Sequence, residues 1–152
     1  PEHAAGVVAV ILPIQQAEFG IPITLAAQPD LQNIPEFYQR DNGNFWVALH
    51  DQRAVGTVAL LDIGNRQTAL RKMFVRAEYR GREHGVANRL LATLLAWCRA
   101  RGVRDIYLGT TAKFLAAHRF YEKNGFSEVT LPMLPKSFPV MAVDTKFYRR
   151  TI

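Results

Sequence analysis

Tyr79-Arg80-Gly81-Arg82-Glu83-His84-Gly85-Val86-Ala87 is the stretch on which the fold turns. Between Val86 and Cys98 apolar side chains stand at 86, 87, 90, 91, 94, 95, 97 and 98, with Asn88, Arg89 and Thr93 between them. That stripe has the period of an amphipathic helix, closed by basic residues and Gly102. Glycine in the turn before such a helix lets the backbone approach a ligand without a Cβ in the way. The helix start then presents unpaired N–H groups and the positive end of its dipole to whatever occupies the turn. Arg80, Arg82 and Arg89 raise the local potential, so the junction reads as an anion cradle. It is not a P-loop, since no Gly-Lys-Ser/Thr closes it, and it does not fit Gly-x-Gly-x-x-Gly.

Upstream of the cradle, β-rich Val7 to Leu12 predicts a first strand. Ile14 to Arg40, broken by Pro22, Pro29 and Pro35, predicts two short helices around a loop. After an Asp41-Asn42-Gly43-Asn44 turn, Phe45 to Leu49 and Val55 to Leu61 read as antiparallel neighbours across Asp51-Gln52-Arg53. A second turn, Asp62-Ile63-Gly64-Asn65, leads into a third strand at Ala69 to Val75. Downstream come a strand at Asp105 to Gly109 and a helix capped by Thr110 or Thr111 and stopped at Asn124-Gly125. A strand near Phe126 to Leu131, a proline-rich excursion through Pro132, Pro135 and Pro139, and a last strand from Val140 to Tyr148 close the chain. A meander followed by strand–helix–strand–helix–strand argues for a mixed α/β (α+β) layer fold. With no repeat and no Gly/Ser linker, residues 1–152 read as a single domain.

The composition agrees: 152 residues, 49% hydrophobic and 21% charged, suit one core and not a disordered, collagen-like or transmembrane chain. Apolar Ala4 to Ile14, interrupted by Gly6 and closed by Pro13, is too short to cross a bilayer. It also lacks the basic flank and cleavage site of a secretory signal. The lone Cys98 excludes an internal disulfide and a multi-cysteine metal site. A cytoplasmic protein without bound metal is therefore expected. Nineteen basic against 13 acidic residues leave a net charge of +6. The basic residues, Arg71, Lys72 and Arg76 among them, form no unbroken tract and accompany no DNA- or RNA-binding signature. A solvated basic surface with one local polyphosphate site is the favoured reading, and a nucleic-acid partner the disfavoured one.

A second segment sharpens the picture. Arg82-x-x-Gly85-x-Ala87, followed by Phe120-Tyr121-Glu122-Lys123-x-Gly125-Phe126, resembles the GCN5-related N-acetyltransferase (GNAT) superfamily, over Val55 to Phe126. The resemblance implies a largely antiparallel mixed sheet of about six to seven strands flanked by about four helices. It implies acetyl-CoA, or coenzyme A, as co-substrate. The amides of Arg82, Glu83, His84, Gly85, Val86 and Ala87 would wrap its pyrophosphate, with Arg80 and Gly81 in the same cradle. The strand Lys72-Met73-Phe74-Val75 would pair with the pantetheine arm, splayed from Ile106 to Thr110. Tyr121 falls where the family places a tyrosine beside the thioester sulfur. One departure is Phe114, where many members carry an asparagine that can bond the pantetheine or thiol.

Acyl transfer to an amine needs a proton acceptor, a donor to the developing oxyanion and a proton for the leaving thiolate. Tyr121 would serve as general acid or hydrogen-bond donor, and the Met73, Phe74 and Val75 amides would polarise the carbonyl. The base stays open among Asp62, Glu18, Asp144, His118 and an ordered water chain, because Ala69-Leu70-Arg71-Lys72-Met73 holds no carboxylate. Cys98 reads as an inert core thiol, and Phe45, Trp46 and Trp97 as core. The acceptor, a small-molecule or peptide amine, would enter over the Phe19 to Pro29 loop and the Pro132 to Val140 excursion. The expected function is N-acetyl transfer from acetyl-CoA to a primary amine. The alternatives are a coenzyme-binding sensor without turnover and a basic nucleic-acid binder. A homodimer through the C-terminal strands is left open.

Overall fold

Residues with positive φ close both hairpins of the first half of the sheet. Asp51 and Gln52 (φ 50° and 66°) turn β1 (Asn44–His50) into β2 (Arg53–Gly64). Asn65 and Arg66 (φ 54° and 60°) turn β2 into β3 (Gln67–Val75). Such two-residue turns match the twist of the strands they join. Asp62, Ile63 and Gly64, expected in the second turn, are still strand, and the turn is Asn65-Arg66 alone. The computed structural model describes residues 3–18, 20–21, 23–81, 84–111, 115–141 and 144–152. Arg82, Glu83 and Phe114, named above, lie outside the described residues, as does the side chain of Glu18.

Val7 to Leu12 is not a strand. It lies within helix α1 (Ala4–Pro13), which runs on into a π-helical turn at Ile14–Glu18. Val7, Val10, Ile11 and Ile14 recur at the helical period and are all buried. That stripe, laid against Ala54, Phe45 and Ala59, outweighs the β preference of the individual residues. Gly6 lets the helix come close, since a Cβ there would stand 3.1 Å from Ala54 Cβ. The short helices α2 (Pro29–Gln32) and α3 (Ile34–Phe37) each begin with proline in the first turn and pack on the same face.

Helix α4 (Val86–Arg101) ends at Gly102, φ 72°. It leads to β4 (Asp105–Thr110), helix α5 (Leu115–Lys123), β5 (Ser127–Val129), a 3-10 turn at Leu131–Met133, and β6 (Lys146–Thr151). Thr110, offered as a helix cap, is the last residue of β4. The last strand starts later than Val140 because Met141 and Asp144 form a closed turn. The Asp144 amide donates to Met141 O (3.0 Å) and the Met141 amide to Asp144 Oδ2 (2.9 Å).

The strand order is β1-β2-β3-β4-β6-β5, antiparallel throughout except for β3 beside β4. This is the largely antiparallel mixed sheet expected, with six strands and five α-helices among the described residues. Helices α4 and α5 cover one face through Leu90, Leu91, Leu94, Leu95 and Tyr121, packed on Val58, Leu60, Ile106 and Leu108. Cys98 belongs to this layer, and burial pushes its thiol up to about 12, so it stays protonated. Helix α1 and the short helices cover the other face. No helix among the described residues is long and apolar enough to cross a membrane.

Candidate active site

The parallel pair is where the sheet opens into a V. β3 and β4 are joined by three residue pairs alone, Gln67 with Asp105, Thr68 with Ile106 and Ala69 with Tyr107. Beyond these, Leu70 to Val75 and Leu108 to Thr110, all of them described residues, have no ladder between them, while β4 keeps its pairing with β6 to Thr110. A strand edge without a neighbouring strand can receive an extended ligand by main-chain pairing. The expected splay between Lys72–Val75 and Ile106–Thr110 is thus present, and Met73, Phe74 and Val75 line it on the β3 side.

Past the open end of β3, a 3-10 turn (Ala77–Tyr79) delivers the chain to Gly81, φ 106°, and Gly85, φ 63°. Gly85 is the N-cap of α4 and contributes no side-chain cap, and no acidic residue stands in the first turn. The first amides of this 16-residue helix, those of Val86, Ala87 and Asn88, stand at the positive end of its dipole, with no side-chain cap among the described residues. Arg80 ties the turn to the strand, its Nε donating to Val75 O at 2.8 Å. Exposed His84 packs its ring on Tyr79, which bonds His50 Nδ1 at 2.9 Å. A phosphorylated, extended ligand fits these features: an open strand edge leads to a helix start that lies among cations and that no side chain caps among the described residues.

Tyr121 comes from α5 on the side of the α4 layer, its ring among Phe120, Phe126 and Tyr148 at centroid distances of 5.8, 5.5 and 6.0 Å. Burial raises its phenol above the usual value, which keeps the proton on and makes the group a donor. The base candidates separate by place. Asp62 pairs across from Thr68, at the closed end of the V, and both its oxygens are engaged, by the amides of Asn42 (3.1 Å) and Gly64 (2.7 Å). His118 is buried, its Nε2 donating to the Thr111 carbonyl at 2.9 Å, a tie between α5 and the end of β4. Asp144 instead lies against the open end of β4. A Cβ on Gly109 would stand 2.5 Å from Asp144 Oδ2, so glycine is what lets the carboxylate reach the strand. Burial, the largest influence, raises the Asp144 carboxyl, with the Met141 amide and Arg71 acting the other way.

A cavity of about 120 Å³ opens at this mouth, on the α1 side, walled by Gln15, Ile21, Arg71, Lys72, Thr110 and Asp144 among others. Two neighbours on a strand normally point to opposite faces. Arg71 and Lys72 share one because β3 bulges there: Thr57 faces Phe74 while Ala59 faces Arg71, and Lys72 takes φ 57°. The Thr57 hydroxyl pins the bulge by donating to Lys72 O at 2.7 Å. Lys72 Nζ then meets Gln28 Oε1 (2.6 Å) and Asp30 Oδ2 (3.5 Å), and Tyr38 donates to the same Asp30 oxygen at 2.5 Å. Gln15 and Gln28 bond each other reciprocally at 3.0 and 3.2 Å. In the sequence this floor has one signal, two adjacent cations in the otherwise apolar stretch from Ala69 to Val75, and residue type alone does not assign it.

A protein-family model described as the acetyltransferase (GNAT) family matches residues 10–126. N-acetylaspartate synthetase of Xenopus tropicalis is 37% identical over 108 residues, which cover 68% of this chain and 38% of that protein. The chain thus spans well under half the length of that relative. The crystal structure of a GNAT-family acetyltransferase from Staphylococcus aureus Mu50 superposes with a TM-score of 0.94 at 40% identity, covering 99% of this chain and 93% of that one. The PaiA N-acetyltransferase of Thermoplasma acidophilum, solved with coenzyme A, shares the fold at a TM-score of 0.73 and 15% identity, over 99% of this chain and 94% of its own.

Proposed function

The chain belongs to the GNAT acetyltransferase family, and from that premise we propose that it transfers an acetyl group from acetyl-CoA to the primary amine of a small molecule. The observation that carries the reading is the V itself: three residue pairs join β3 to β4, and past them β3, with no ladder to β4, runs to a helix start that no side chain caps among the described residues. Coenzyme-bound relatives of the same fold, and a relative named for N-acetylaspartate synthesis, support it.

Acetyl-CoA supplies the activated thioester; the rest falls to the chain's own residues. The amides of Gly81, His84, Gly85, Val86 and Ala87, with those of Arg82 and Glu83, hold the pyrophosphate, and Arg80 contributes charge. Met73, Phe74 and Val75 offer main-chain groups to the pantetheine arm and a donor to the thioester oxygen as charge builds on it. Asp144 takes the proton that the attacking nitrogen gives up as the C–N bond forms. Tyr121 donates to the sulfur as the C–S bond breaks. A phenol held above its ordinary value favours a strong hydrogen bond to the thiolate over outright proton loss. No covalent intermediate on the protein is needed.

The test is thiol release from acetyl-CoA across a panel of amines, with the acetylated product identified by mass. Amine-dependent release is expected. Saturable coenzyme binding with no turnover on any amine would instead make the protein a coenzyme sensor, and no binding at all would remove the reading.

A further inference from the structure

The two cations in the cavity at the mouth of the V are not equivalent. Lys72 is already satisfied: its side chain is 8% exposed and is held by Gln28 and Asp30. Arg71 meets no carboxylate within 4 Å among the described residues. Its guanidinium lies near the rings of Phe37 and Tyr38, 5.6 and 5.9 Å from their centroids, and its Nη2 reaches Met141 Sδ at 3.6 Å. A thioether is a weak acceptor, so the guanidinium keeps donors for a planar anion. Across the cavity Asp144 uses one oxygen on the Met141 amide and makes no ion pair with any described residue. A cation and an anion that make no contact ion pair among the described residues, in one small cavity, call for a ligand that carries both opposite charges.

From this arrangement we infer that the acceptor is a zwitterion, a small amino acid whose carboxylate sits on Arg71 and whose amine faces Asp144. This deepens the acetyltransfer reading and rests on it for the fate of the amine. The ammonium gives one proton to solvent before attack, Asp144 takes the next as the C–N bond forms, and Arg71 sets the distance from carboxylate to nitrogen. Beside Arg71, Lys72 is already engaged by Gln28 and Asp30, which leaves Arg71 as the cation open to the carboxylate.

The experiment titrates L-aspartate, L-alanine, β-alanine and ethylamine by calorimetry into the whole chain, with and without saturating coenzyme A, for the native protein and for Arg71→Met and Arg71→Lys. The coenzyme titration is read separately. At least one carboxylate-bearing amine is expected to bind at least about tenfold more tightly than ethylamine. Arg71→Met should erase that preference, by about 10- to 100-fold, the worth of a charge-assisted contact. Arg71→Lys should recover part of it. Ethylamine bound as tightly as every amino acid, or an amino-acid preference that survives in Arg71→Met, overturns the inference while leaving acetyl transfer intact. Failure of the coenzyme titration alone counts against the acetyltransfer reading, since the amino-acid preference is read without coenzyme as well.

Discussion

The two sides of the V are made of different material. On the side assigned to the coenzyme, the ligand-facing groups are main-chain amides: the open edge of β3, the turn through Gly81 and Gly85, and the start of α4. On the side assigned to the acceptor they are side chains, Arg71, Lys72 and Asp144, brought together from β3 and a turn some 70 residues further on, with Gln15 beside them. A backbone site depends on conformation and tolerates changes of side chain. A side-chain site depends on identity and on the buried pairs beneath it.

Substitutions on each side should therefore fail differently, and the largest effect is expected beneath the acceptor side. Lys72→Met leaves Asp30 buried without its cation, a loss of about 3 kcal/mol for a broken buried pair. Thermal unfolding should show a marked drop in Tm; an unchanged Tm would mean that the floor is not held by this pair. Next comes the phenol proposed as the donor to the leaving sulfur. Tyr121→Phe should lower kcat on the order of a hundredfold with the KM for acetyl-CoA nearly unchanged, as removal of a donor used only as the bond breaks requires. Weakened coenzyme binding at unchanged kcat would place the phenol in the wrong role.

The contrast is sharpened on the coenzyme side by a matched pair. Gly85→Val forces a β-branched residue into φ 63° and should weaken coenzyme A by at least about tenfold. Arg89→Ala removes an exposed charge and should cost only about twofold at physiological salt. Equal losses from both would show that side-chain charge, not backbone geometry, holds the phosphates.

The smallest effect is a matter of pH. Burial raises the Asp144 carboxyl, so its base form is lost, on acidification, above the ordinary carboxylate range. The rate should fall there, and Asp144→Asn should abolish that limb of the profile and lower the rate. The stability sign is opposite. A raised folded-state value means that folding favours the protonated group, a contribution present at low pH and lost as pH rises through that value. Asp144→Asn, which never ionises, should be at least as stable as the native chain at neutral pH. A less stable variant would mean that Asp144 serves the fold first.

The difference in material also explains what can be read from the sequence. The turn and helix proposed as the cradle are legible because glycines at 81 and 85 and the apolar stripe from Val86 to Cys98 encode backbone geometry locally. The β1–β2–β3 meander is legible for the same reason, each turn being written in a few polar residues. The acceptor cavity is not. Arg71 and Lys72 share a face only through a bulge, and Asp144 reaches β4 only because residue 109 is glycine. Both depend on pairing partners far away in the chain. Val7 to Leu12 misleads when β-branched residues are weighed singly, whereas the buried set Val7, Val10, Ile11 and Ile14 carries the helical period. Asp62 and His118 are attractive by type alone; their hydrogen-bond partners show them committed to the fold.

The claim on which the rest stands is that the gap between β3 and β4 receives coenzyme A along a main-chain edge. Amide chemical shifts, followed residue by residue while coenzyme A is added, test it most directly. Saturable shifts concentrated at Met73, Phe74, Val75 and at Gly81 through Ala87 are the expected result. A titration that leaves those amides unmoved, or that moves only the surface around other arginines, would contradict it.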